Sequence, residues 1–217
     1  MKKQNVKNPI LYRMTHIDNI EHILTYGITH KNSERANPNY KPIGDSEVIS
    51  VRDHTPVPEE ISLGGVLGDY IPFYFCPRSP MHYVIYKGYN SVGKVSESNI
   101  VYLISDVDSI VEAELPFIFT NGHAVSDLTL FFSSDETDKF RTLDWEVICN
   151  NYWRDTEEDP DRKRRKEAEF LIKRDVPVRC IIGLADYNEE AKNRMEKLVT
   201  SLGIDIRVAI RKNFYYD

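Results

Sequence analysis

The sequence predicts an α+β fold, in which short strands come in groups and helical stretches lie between the groups. Short apolar stretches typical of strands recur along the chain, and helical patterns are confined to the intervals between them. The chain has neither an internal repeat nor a low-complexity linker. With 217 residues, 41% of them hydrophobic and 29% charged, its composition is typical of a folded globular protein. We therefore expect a single domain over residues 1–217.

The N-terminal part predicts a strand followed by a capped helix. Residues 10–16, ILYRMTH, are predicted as a short strand. A helix is predicted over 18–27, with Asp18 as its N-cap and Glu21 three residues later in a capping-box pattern. Gly27 stands where a left-handed C-terminal residue is expected.

A long polar segment and a further strand follow this helix. Residues 28–47 are rich in turn formers and long for a plain connection, so the segment is either mobile or shaped around a ligand. Residues 48–58, VISVRDHTPVP, are predicted to begin as a strand that two prolines stop. Arg52 would then lie at a strand end.

The remainder of the chain predicts strands and helices in alternation. The predicted strands are 70–75, 99–106, 116–125, 168–177, 178–186 and 204–213, and the predicted helices are 77–88, 138–153 and 188–203. Along the strand that begins at Ala168, side chains point alternately to opposite faces. Phe170 and Ile172 should therefore point toward the core, and Glu169 toward the other face.

Composition and missing motifs exclude several classes of protein. A net charge of −6 argues against coating nucleic acid by bulk electrostatics, although a local basic site remains compatible with it. The sequence has no P-loop, GxGxxG fingerprint, HExxH or GxSxG motif. The cysteines, Cys76, Cys149 and Cys180, are scattered, have no metal-ligand spacing and suit a reducing compartment. No apolar run approaches 18 residues, so we expect no membrane span and a cytoplasmic location. Because the sequence has no cluster of cysteines and histidines with metal-ligand spacing, we also expect no metal.

Five features could carry function, and each also has an ordinary structural explanation. His16 could bind a ligand or cap a helix, and Arg52 taken alone is most often part of a surface ion pair. Arg78 lies between two prolines, in a stiff loop that would position its side chain in advance. The basic run Arg162–Lys166 is more often a solvated face than a nucleic-acid contact. Glu169 is a carboxylate at the start of a strand, either at a cleft or simply exposed.

Several blocks of the sequence together resemble one family, the DarT family of bacterial DNA ADP-ribosyltransferases. They are YRMTHIDNIEHIL, GGVLGDYIPFYFCPRSPMHYVIYKG, PFIFTNGHAV, LDWEVICNNYW and KEAEFLIKRDVP, in the family's order. The resemblance runs from about residue 9 to the C-terminus. It implies the ADP-ribosyltransferase fold, in which a split pair of small β-sheets with flanking helices holds NAD in a cleft.

The resemblance also implies an activity and partners. Members of this family transfer ADP-ribose from NAD to thymidine bases of single-stranded DNA, within a short sequence context. They are the toxin half of a toxin–antitoxin pair, and the partner DarG removes the mark through a macrodomain. NAD would thus be a co-substrate, no metal would be needed, and we expect a monomer.

The family's functional residues can be carried over position by position. The catalytic glutamate corresponds to Glu169, and the essential arginine, which also contacts NAD, corresponds to Arg52. Further NAD contacts correspond to Arg13, Met14, Thr15, His16 and His22. Residues on the DNA side correspond to Tyr74, Arg78, Met81 and His123. The chain departs from the family's pattern at Arg13, often another polar residue, and in its denser basic run before Glu169.

These assignments predict a mechanism that the residue types can support. Glu169 would hold the ribose of NAD and stabilise positive charge on the sugar as nicotinamide leaves. Thymine N3 must lose its proton, and Arg52 would stabilise the resulting anion while Glu169 or water accepts the proton. Two other functions stay open at this point: ADP-ribosylation of RNA or protein, and non-catalytic binding of single strands.

Overall fold

The computed structural model describes residues 6–61, 63–90 and 92–216. The remaining positions of the predicted domain, 1–5, 62, 91 and 217, lie outside the described part. The strands are β1 (Ile10–His16), β2 (Ile71–Tyr74), β3 (Ile100–Asp106), β4 (Phe117–Thr120), β5 (Phe131–Ser133), β6 (Glu169–Ile172), β7 (Gly183–Asp186) and β8 (Arg207–Ile210). The helices are α1 (Ile20–Tyr26), α2 (Ser46–Arg52), α3 (Pro80–Lys87), α4 (Val107–Glu112), α5 (Trp145–Ile148), α6 (Arg162–Lys166) and α7 (Glu189–Ser201).

The strands join into one sheet in the order β5-β4-β6-β2-β1-β3-β7-β8. All pairings are antiparallel except that of β7 with β8. Helices pack between and beside the strands, so the predicted α+β fold is confirmed. Within the described ranges, no helix has the length and apolar character needed to cross a membrane.

The two halves of the sheet are joined by very few paired residues. This narrow junction corresponds to the predicted split between two small sheets. Strand β1 pairs with β3 along its whole length but with β2 only at Tyr12 and Tyr74. Beyond that pair, the Arg13 side chain spans the two strands by donating a hydrogen bond from Nη1 to the Pro72 carbonyl at 2.8 Å. The two halves thus form one continuous sheet that narrows to a single residue pair.

Apolar side chains fill both faces of the sheet. Phe170 and Ile172 join the largest cluster with Phe73 and Phe119, as the alternation predicts. On the opposite face, Leu171 packs in a smaller cluster with other buried residues, among them Leu67, Tyr70 and Ile118. Because both faces of β6 are covered, Glu169 on that strand is buried rather than exposed.

Helix α1 starts later than predicted, and Asp18 is not its N-cap. A 3-10 turn, Ile17–Asn19, precedes the helix, and His16 caps that turn by accepting the Asp18 N–H at Nδ1. The Asp18 carboxylate instead accepts hydrogen bonds from Lys41 and Arg194, which lower its pKa to about 2. Gly27 has the predicted positive φ, at 89°.

The strand predicted over 48–58 is wrong, because this segment begins as helix α2. Asp45 caps the helix by accepting the Glu47 N–H at 2.9 Å, which favours a helical start over an extended one. The β-branched residues of this segment are typical of a strand. In the structure they lie on a helix, none of whose residues is buried. Arg52 therefore lies at the C-terminal end of a helix.

Several further elements are shorter than the sequence predicts. Strands β4, β6 and β8 have four residues each, within the predicted ranges 116–125, 168–177 and 204–213. The helix predicted over 138–153 is a 3-10 segment, Ser134–Thr142, followed by the single turn of α5. The strand predicted over 178–186 begins only at Gly183, after a 3-10 turn over Val178–Cys180.

Two of the scattered cysteines are joined. Cys76 follows β2, Cys149 follows α5, and the two form a disulfide across a sequence separation of 73 residues. Cys180 is a buried free thiol. The expectation of unpaired thiols fails because the fold, and not the sequence spacing, brings these residues together.

Candidate active site

A buried carboxylate at the start of β6 is the centre of the site. Glu169 is fully buried. Its Oε2 accepts a hydrogen bond from Arg52 Nη1 at 2.8 Å, and its Oε1 accepts one from the Ala124 N–H at 2.9 Å. Its own N–H donates to Thr120 Oγ1 at 3.0 Å. Both carboxylate oxygens therefore have a partner, and the strand holds the side chain in a defined position.

Arg52 supplies the positive partner and has a further donor to offer. Its side chain is 12% exposed and pairs with Glu169 through one terminal nitrogen. The other terminal nitrogen, Nη2, is buried and finds no hydrogen-bond partner among the described residues. A buried unpaired donor is costly, so its presence beside a carboxylate is typical of a site that receives an anionic or polar ligand.

Tyr74 adjoins this pair from the neighbouring strand. It lies opposite Glu169 in the β2–β6 register, so both side chains are on the same face of the sheet. Burial and the nearby Glu169 raise the pKa of the Tyr74 phenol well above its usual value. Its hydroxyl donates to Met81 Sδ at 3.9 Å. Tyr74 and Met81, both predicted for the DNA side, therefore lie together beside the carboxylate.

The turn after β4 contributes His123 and the Ala124 amide. The His123 N–H donates to the Arg164 carbonyl at 2.9 Å, and its own carbonyl accepts from Thr129 Oγ1. Burial lowers the pKa of the His123 imidazole, although the nearby Glu169 acts in the opposite direction. His123 is therefore neutral at pH 7 and can donate or accept a hydrogen bond beside Glu169.

The residues predicted for NAD on β1 follow Tyr12, the residue that pairs with β2, and His22 lies on the next helix. Met14 and Thr15 are buried, and Thr15 Oγ1 accepts a hydrogen bond from Asn19. His16 lies four residues beyond Tyr12, about 13 Å further along the strand. His22 on α1 packs its ring against Tyr26, with 4.9 Å between the ring centroids.

Among the described residues, Arg78 forms neither a hydrogen bond nor an ion pair with Arg52 or Glu169. Its φ is 56°, and its N–H donates to the Tyr102 hydroxyl. The guanidinium lies 4.6 Å above the ring of Tyr216. The structure thus brings Arg52, Glu169, Tyr74, Met81 and His123 into one group and places Arg78 at its side.

The basic run before Glu169 is mostly neutralised. It forms α6, where Arg164 pairs with Asp161 at 2.6 Å and Arg165 pairs with both Asp144 and Asp159. Lys166 is buried and donates to the carbonyls of Pro77 and Ile148. The run therefore stabilises the loops around the site and presents little free positive charge.

Two buried titratable groups next to the site escaped sequence reasoning. Burial raises the pKa of Glu167 to about 8 and lowers the pKa of Lys166 to about 7. The sequence signal for Glu167 was the pair of acids in Glu167-Ala168-Glu169. No spacing signal pointed to the Ala124 amide, which acts through its backbone. Within the described ranges, no cluster of His, Cys, Asp and Glu could hold a metal ion.

The fold matches that of known DNA ADP-ribosyltransferases. A family model described as "ssDNA thymidine ADP-ribosyltransferase, DarT" matches residues 12–216. A DNA ADP-ribosyl transferase of Thermus sp. (strain 2.9) is 35% identical over 220 residues, covering 100% of both chains. The chain therefore belongs to the DarT family, whose members are NAD-dependent DNA ADP-ribosyltransferases.

Solved structures of relatives agree with this assignment. The DarT of Thermus sp. 2.9 in complex with ADP-ribosylated single-stranded DNA superposes with a TM-score of 0.86, at 34% identity and with 100% of each chain covered. The same protein in complex with NAD+ gives a TM-score of 0.78, covering 96% of this chain and 98% of that one. A Thermosipho africanus protein that fuses a DNA ADP-ribosyl transferase to a DNA ADP-ribosyl glycohydrolase is 26% identical over 197 residues, which cover 47% of its length.

Proposed function

We propose that this chain transfers ADP-ribose from NAD to thymine N3 in single-stranded DNA. The observation that carries the proposal is the buried Arg52–Glu169 pair with its unpartnered Arg52 Nη2, in a member of the DarT family. In the reaction, the bond between the ribose anomeric carbon and nicotinamide breaks, and a bond from that carbon to N3 forms. The N3 proton is lost, and nicotinamide leaves.

Glu169 is the proposed catalytic carboxylate. Positive charge develops on the ribose as nicotinamide leaves, and a fixed carboxylate that accepts a hydrogen bond from a ribose hydroxyl stabilises that charge. Its two hydrogen-bond partners, Arg52 and the Ala124 amide, fix the position of the carboxyl group on the strand. Its position at the start of β6 places it beside the narrow junction of the sheet, where the ligand would enter.

Arg52 has two proposed tasks, one for each terminal nitrogen. Nη1 orients Glu169, and the free Nη2 would bind an NAD phosphate or the thymine anion that forms as N3 loses its proton. An arginine is a poor proton acceptor because its pKa exceeds about 12, so Glu169 or water would take the proton. Further NAD contacts are proposed from Arg13, Met14, Thr15, His16 and His22.

The DNA would approach from the side of β2 and the turn after β4. Tyr74, Met81 and His123 surround Glu169 there. Arg78 lies in the loop between β2 and α3, three residues before Met81. A single-stranded base can enter such a site without the cost of unpairing a duplex. Stacking on Tyr74 would contribute roughly 1–3 kcal/mol to binding of the base.

The direct test is incubation of the protein with NAD and matched oligonucleotides. We expect nicotinamide release and an ADP-ribose mass shift on thymidine-containing single-stranded DNA. Replacing thymidine by N3-methylthymidine should abolish the shift, because the acceptor nitrogen is blocked. A Glu169→Gln variant, which keeps the side-chain volume, should lose the shift while retaining its melting temperature within a few degrees.

The same assay separates the alternatives. If ADP-ribose is transferred to uridine-containing RNA or to protein instead of DNA, the protein is a transferase with another acceptor and the DNA proposal is wrong. No NAD consumption with any acceptor, together with tight oligonucleotide binding, would favour a non-catalytic binding module.

We further propose that the modification is toxic and is removed by a macrodomain hydrolase of the DarG kind. The support is the relative from Thermosipho africanus, in which a transferase and a DNA ADP-ribosyl glycohydrolase are fused. Induced expression should stop DNA synthesis in a host cell, and co-expression of such a hydrolase should restore growth. If cells that express the wild-type protein grow normally although their lysate contains active enzyme, the proposal is wrong.

We also propose that the chain acts as a monomeric single domain over 1–217. Glu169, Arg52, Tyr74 and His123 all come from this one chain, so the proposed site needs no partner copy. Light scattering at the concentration of the activity assay should give the mass of one chain, and a dimer mass there would contradict this.

A further inference from the structure

An aromatic and cationic surface covers the outer side of α3. We call it the tyrosine surface and define it by the rings of Tyr83, Tyr86, Tyr89 and Tyr216 with the cations Arg78, Lys87, Lys94 and Arg154. On an α-helix, residues three and four apart lie on one side, so Tyr83, Tyr86 and Lys87 lie together along α3. Tyr89 follows directly after the helix and is 53% exposed.

The rings form a connected array. The Tyr83 ring centroid lies 5.2 Å from that of Tyr216 and 6.1 Å from that of Tyr89. Tyr86 stacks on Tyr216 with 6.0 Å between centroids and 26° between the ring planes. Trp153 extends the array, at 5.5 Å from Tyr83. These contacts fix the partly exposed rings of Tyr83 and Tyr86 against the buried ring of Tyr216.

The cations of this surface differ from those of α6. Lys87 Nζ lies 4.8 Å from the Tyr86 ring centroid, Lys94 Nζ lies 5.8 Å from it, and the Arg154 guanidinium lies 5.8 Å from the Tyr83 centroid. Within the described part of the chain, none of these three forms a salt bridge with a carboxylate. They are therefore available to an anionic ligand, in a chain whose net charge is −6.

A groove lies beside these residues. Tyr86, Lys94, Tyr187 and Tyr216 line it together with Ser96 and neighbouring residues, and its volume is about 530 Å³. Glu97 also lines it, but that carboxylate is engaged by the His82 ring at 2.7 Å and by the Tyr216 N–H at 3.0 Å. The groove therefore presents aromatic and cationic groups. The Glu97 carboxylate in its lining already has hydrogen-bond partners within the protein.

The tyrosine surface is continuous with the proposed DNA side of the active site. Met81 in the first turn of α3 contacts Tyr74, which lies opposite Glu169. Arg78 packs on Tyr216, and Tyr216 packs on Tyr86. The eight residues of α3 span about 12 Å, the length of roughly three stacked nucleotides.

We propose that the tyrosine surface binds the single-stranded DNA that flanks the target thymidine. A base would stack on the exposed ring of Tyr89. Lys87 and Lys94, held over the Tyr86 ring, and Arg154 would contact phosphates. Alternating flat rings and unpaired cations are the combination that binds single strands without reading their sequence. This inference rests on the proposed DNA substrate and adds a second binding region to it.

The test compares two oligonucleotides, a short one with the target thymidine and its immediate neighbours and the same sequence extended on both sides. We measure the ratio of kcat/KM for the long and the short oligonucleotide, and the ratio of their Kd values by fluorescence anisotropy. In Tyr86→Ala and in Tyr89→Ala, we expect the preference for the long oligonucleotide to fall roughly 5-fold or more. Tyr86→Phe keeps the ring and should retain that preference.

The lysines give a separate readout. In a Lys87→Ala/Lys94→Ala variant, the slope of log Kd against log salt for the long oligonucleotide should decrease by about 1.4, or about 0.7 for each lost phosphate contact. Lys197→Ala, which removes an exposed cation on α7, should leave the slope as in the wild type.

Binding of the long oligonucleotide is measured without catalysis, so the two proposals can fail independently. If wild type binds the long oligonucleotide but modifies no thymidine, the transferase proposal fails and the surface is still tested by Kd. If Tyr89→Ala and the lysine variant bind long oligonucleotides as wild type does, the inference is wrong, and the surface would be that of a protein partner.

Discussion

At the residue scale, the carboxylate of Glu169 is buried at a cost that its partners offset. An ionised carboxylate loses several kcal/mol of hydration when it is buried, and the ion pair with Arg52 and the Ala124 N–H compensate for much of that loss. A carboxylate that needed only to be stable would be better placed at the surface. Its burial beside an unpartnered arginine nitrogen is thus better explained by chemistry than by stability.

Two replacements of Arg52 should separate its structural and chemical roles. Arg52→Ala leaves Glu169 buried without its cation and should lower the free energy of unfolding by roughly 3–5 kcal/mol. Arg52→Lys keeps a positive charge but cannot supply both nitrogens, so kcat/KM should fall about 100-fold or more with a smaller loss of stability. Urea denaturation and steady-state kinetics check both. An Arg52→Lys enzyme with wild-type kcat/KM would contradict a role for Nη2.

Glu167 and Lys166 should make stability depend on pH in opposite directions. The folded-state pKa of Glu167 is raised to about 8, so between its unfolded value of about 4.5 and 8 the folded state binds the extra proton and stability falls as pH rises. The folded-state pKa of Lys166 is lowered to about 7, so from 7 to about 10.5 the unfolded state binds the extra proton and stability rises with pH.

The expected result is a minimum in the free energy of unfolding near pH 7–8. Glu167→Gln, which stays neutral, should reduce the fall between pH 5 and pH 7 and leave the rise above pH 8. Part of the fall should remain, because burial also raises the pKa of Asp186 to about 7. Chemical denaturation at one-unit steps of pH measures both limbs. A Glu167→Gln profile identical to that of wild type would show that Glu167 is ionised in the folded protein throughout.

At the element scale, the placement of α2 decides where Arg52 lies. The helix buries none of its residues, so its position depends on contacts at its ends. At the C-terminal end, Gly68 approaches Asp53 so closely that a Cβ there would lie 2.9 Å from the Asp53 Cα. Because Asp53 directly follows Arg52, this close approach sets the distance of the arginine from Glu169.

Gly68→Ala should therefore impair activity more than it impairs folding. The added methyl group must push the end of α2 outward, at a cost of roughly 1–3 kcal/mol. We expect kcat to fall at least about 10-fold through displacement of Arg52, in the range that misplacement of a catalytic group produces. Gly93→Ala is the control, since a Cβ there meets nothing within 4 Å. Equal activities of the two variants would argue against this role of Gly68.

At the scale of the whole molecule, the disulfide and Lys166 join the same two segments. Cys76 bonds to Cys149, and the carbonyls that Lys166 binds belong to Pro77 and Ile148, the neighbours of those cysteines. The loop that carries Arg78 is therefore fastened to α5 at adjacent points.

Reduction of the disulfide should lower stability without abolishing the fold. A cross-link across 73 residues constrains the unfolded chain and contributes roughly 2–4 kcal/mol. Thermal unfolding with and without reductant should show a lower melting temperature in reductant. Cys149→Ala should melt at the lower temperature in both conditions. A wild-type melting temperature that reductant does not change would mean that the two thiols are unlinked in solution.

Much of the fold and part of the site can be predicted from local sequence. The strand at 10–16, the strand at 99–106 and the helix that ends before Gly203 are predicted close to their observed bounds, because each has a strong local pattern or cap. The catalytic roles proposed for Glu169 and Arg52 were predicted only from the resemblance to the DarT family. Residue patterns alone left both with ordinary structural explanations.

The sequence by itself determines which faces of β6 are apolar, where most strands lie and which family the chain resembles. Only the tertiary structure decides that Cys76 meets Cys149, that the arginines of the basic run are paired with carboxylates and that Glu169 is buried against Arg52. The physical reason is the range of the interactions. Periodicity and capping act within a few residues, whereas Arg52 and Glu169 are separated by 117 positions and meet only once β6 and α2 have packed.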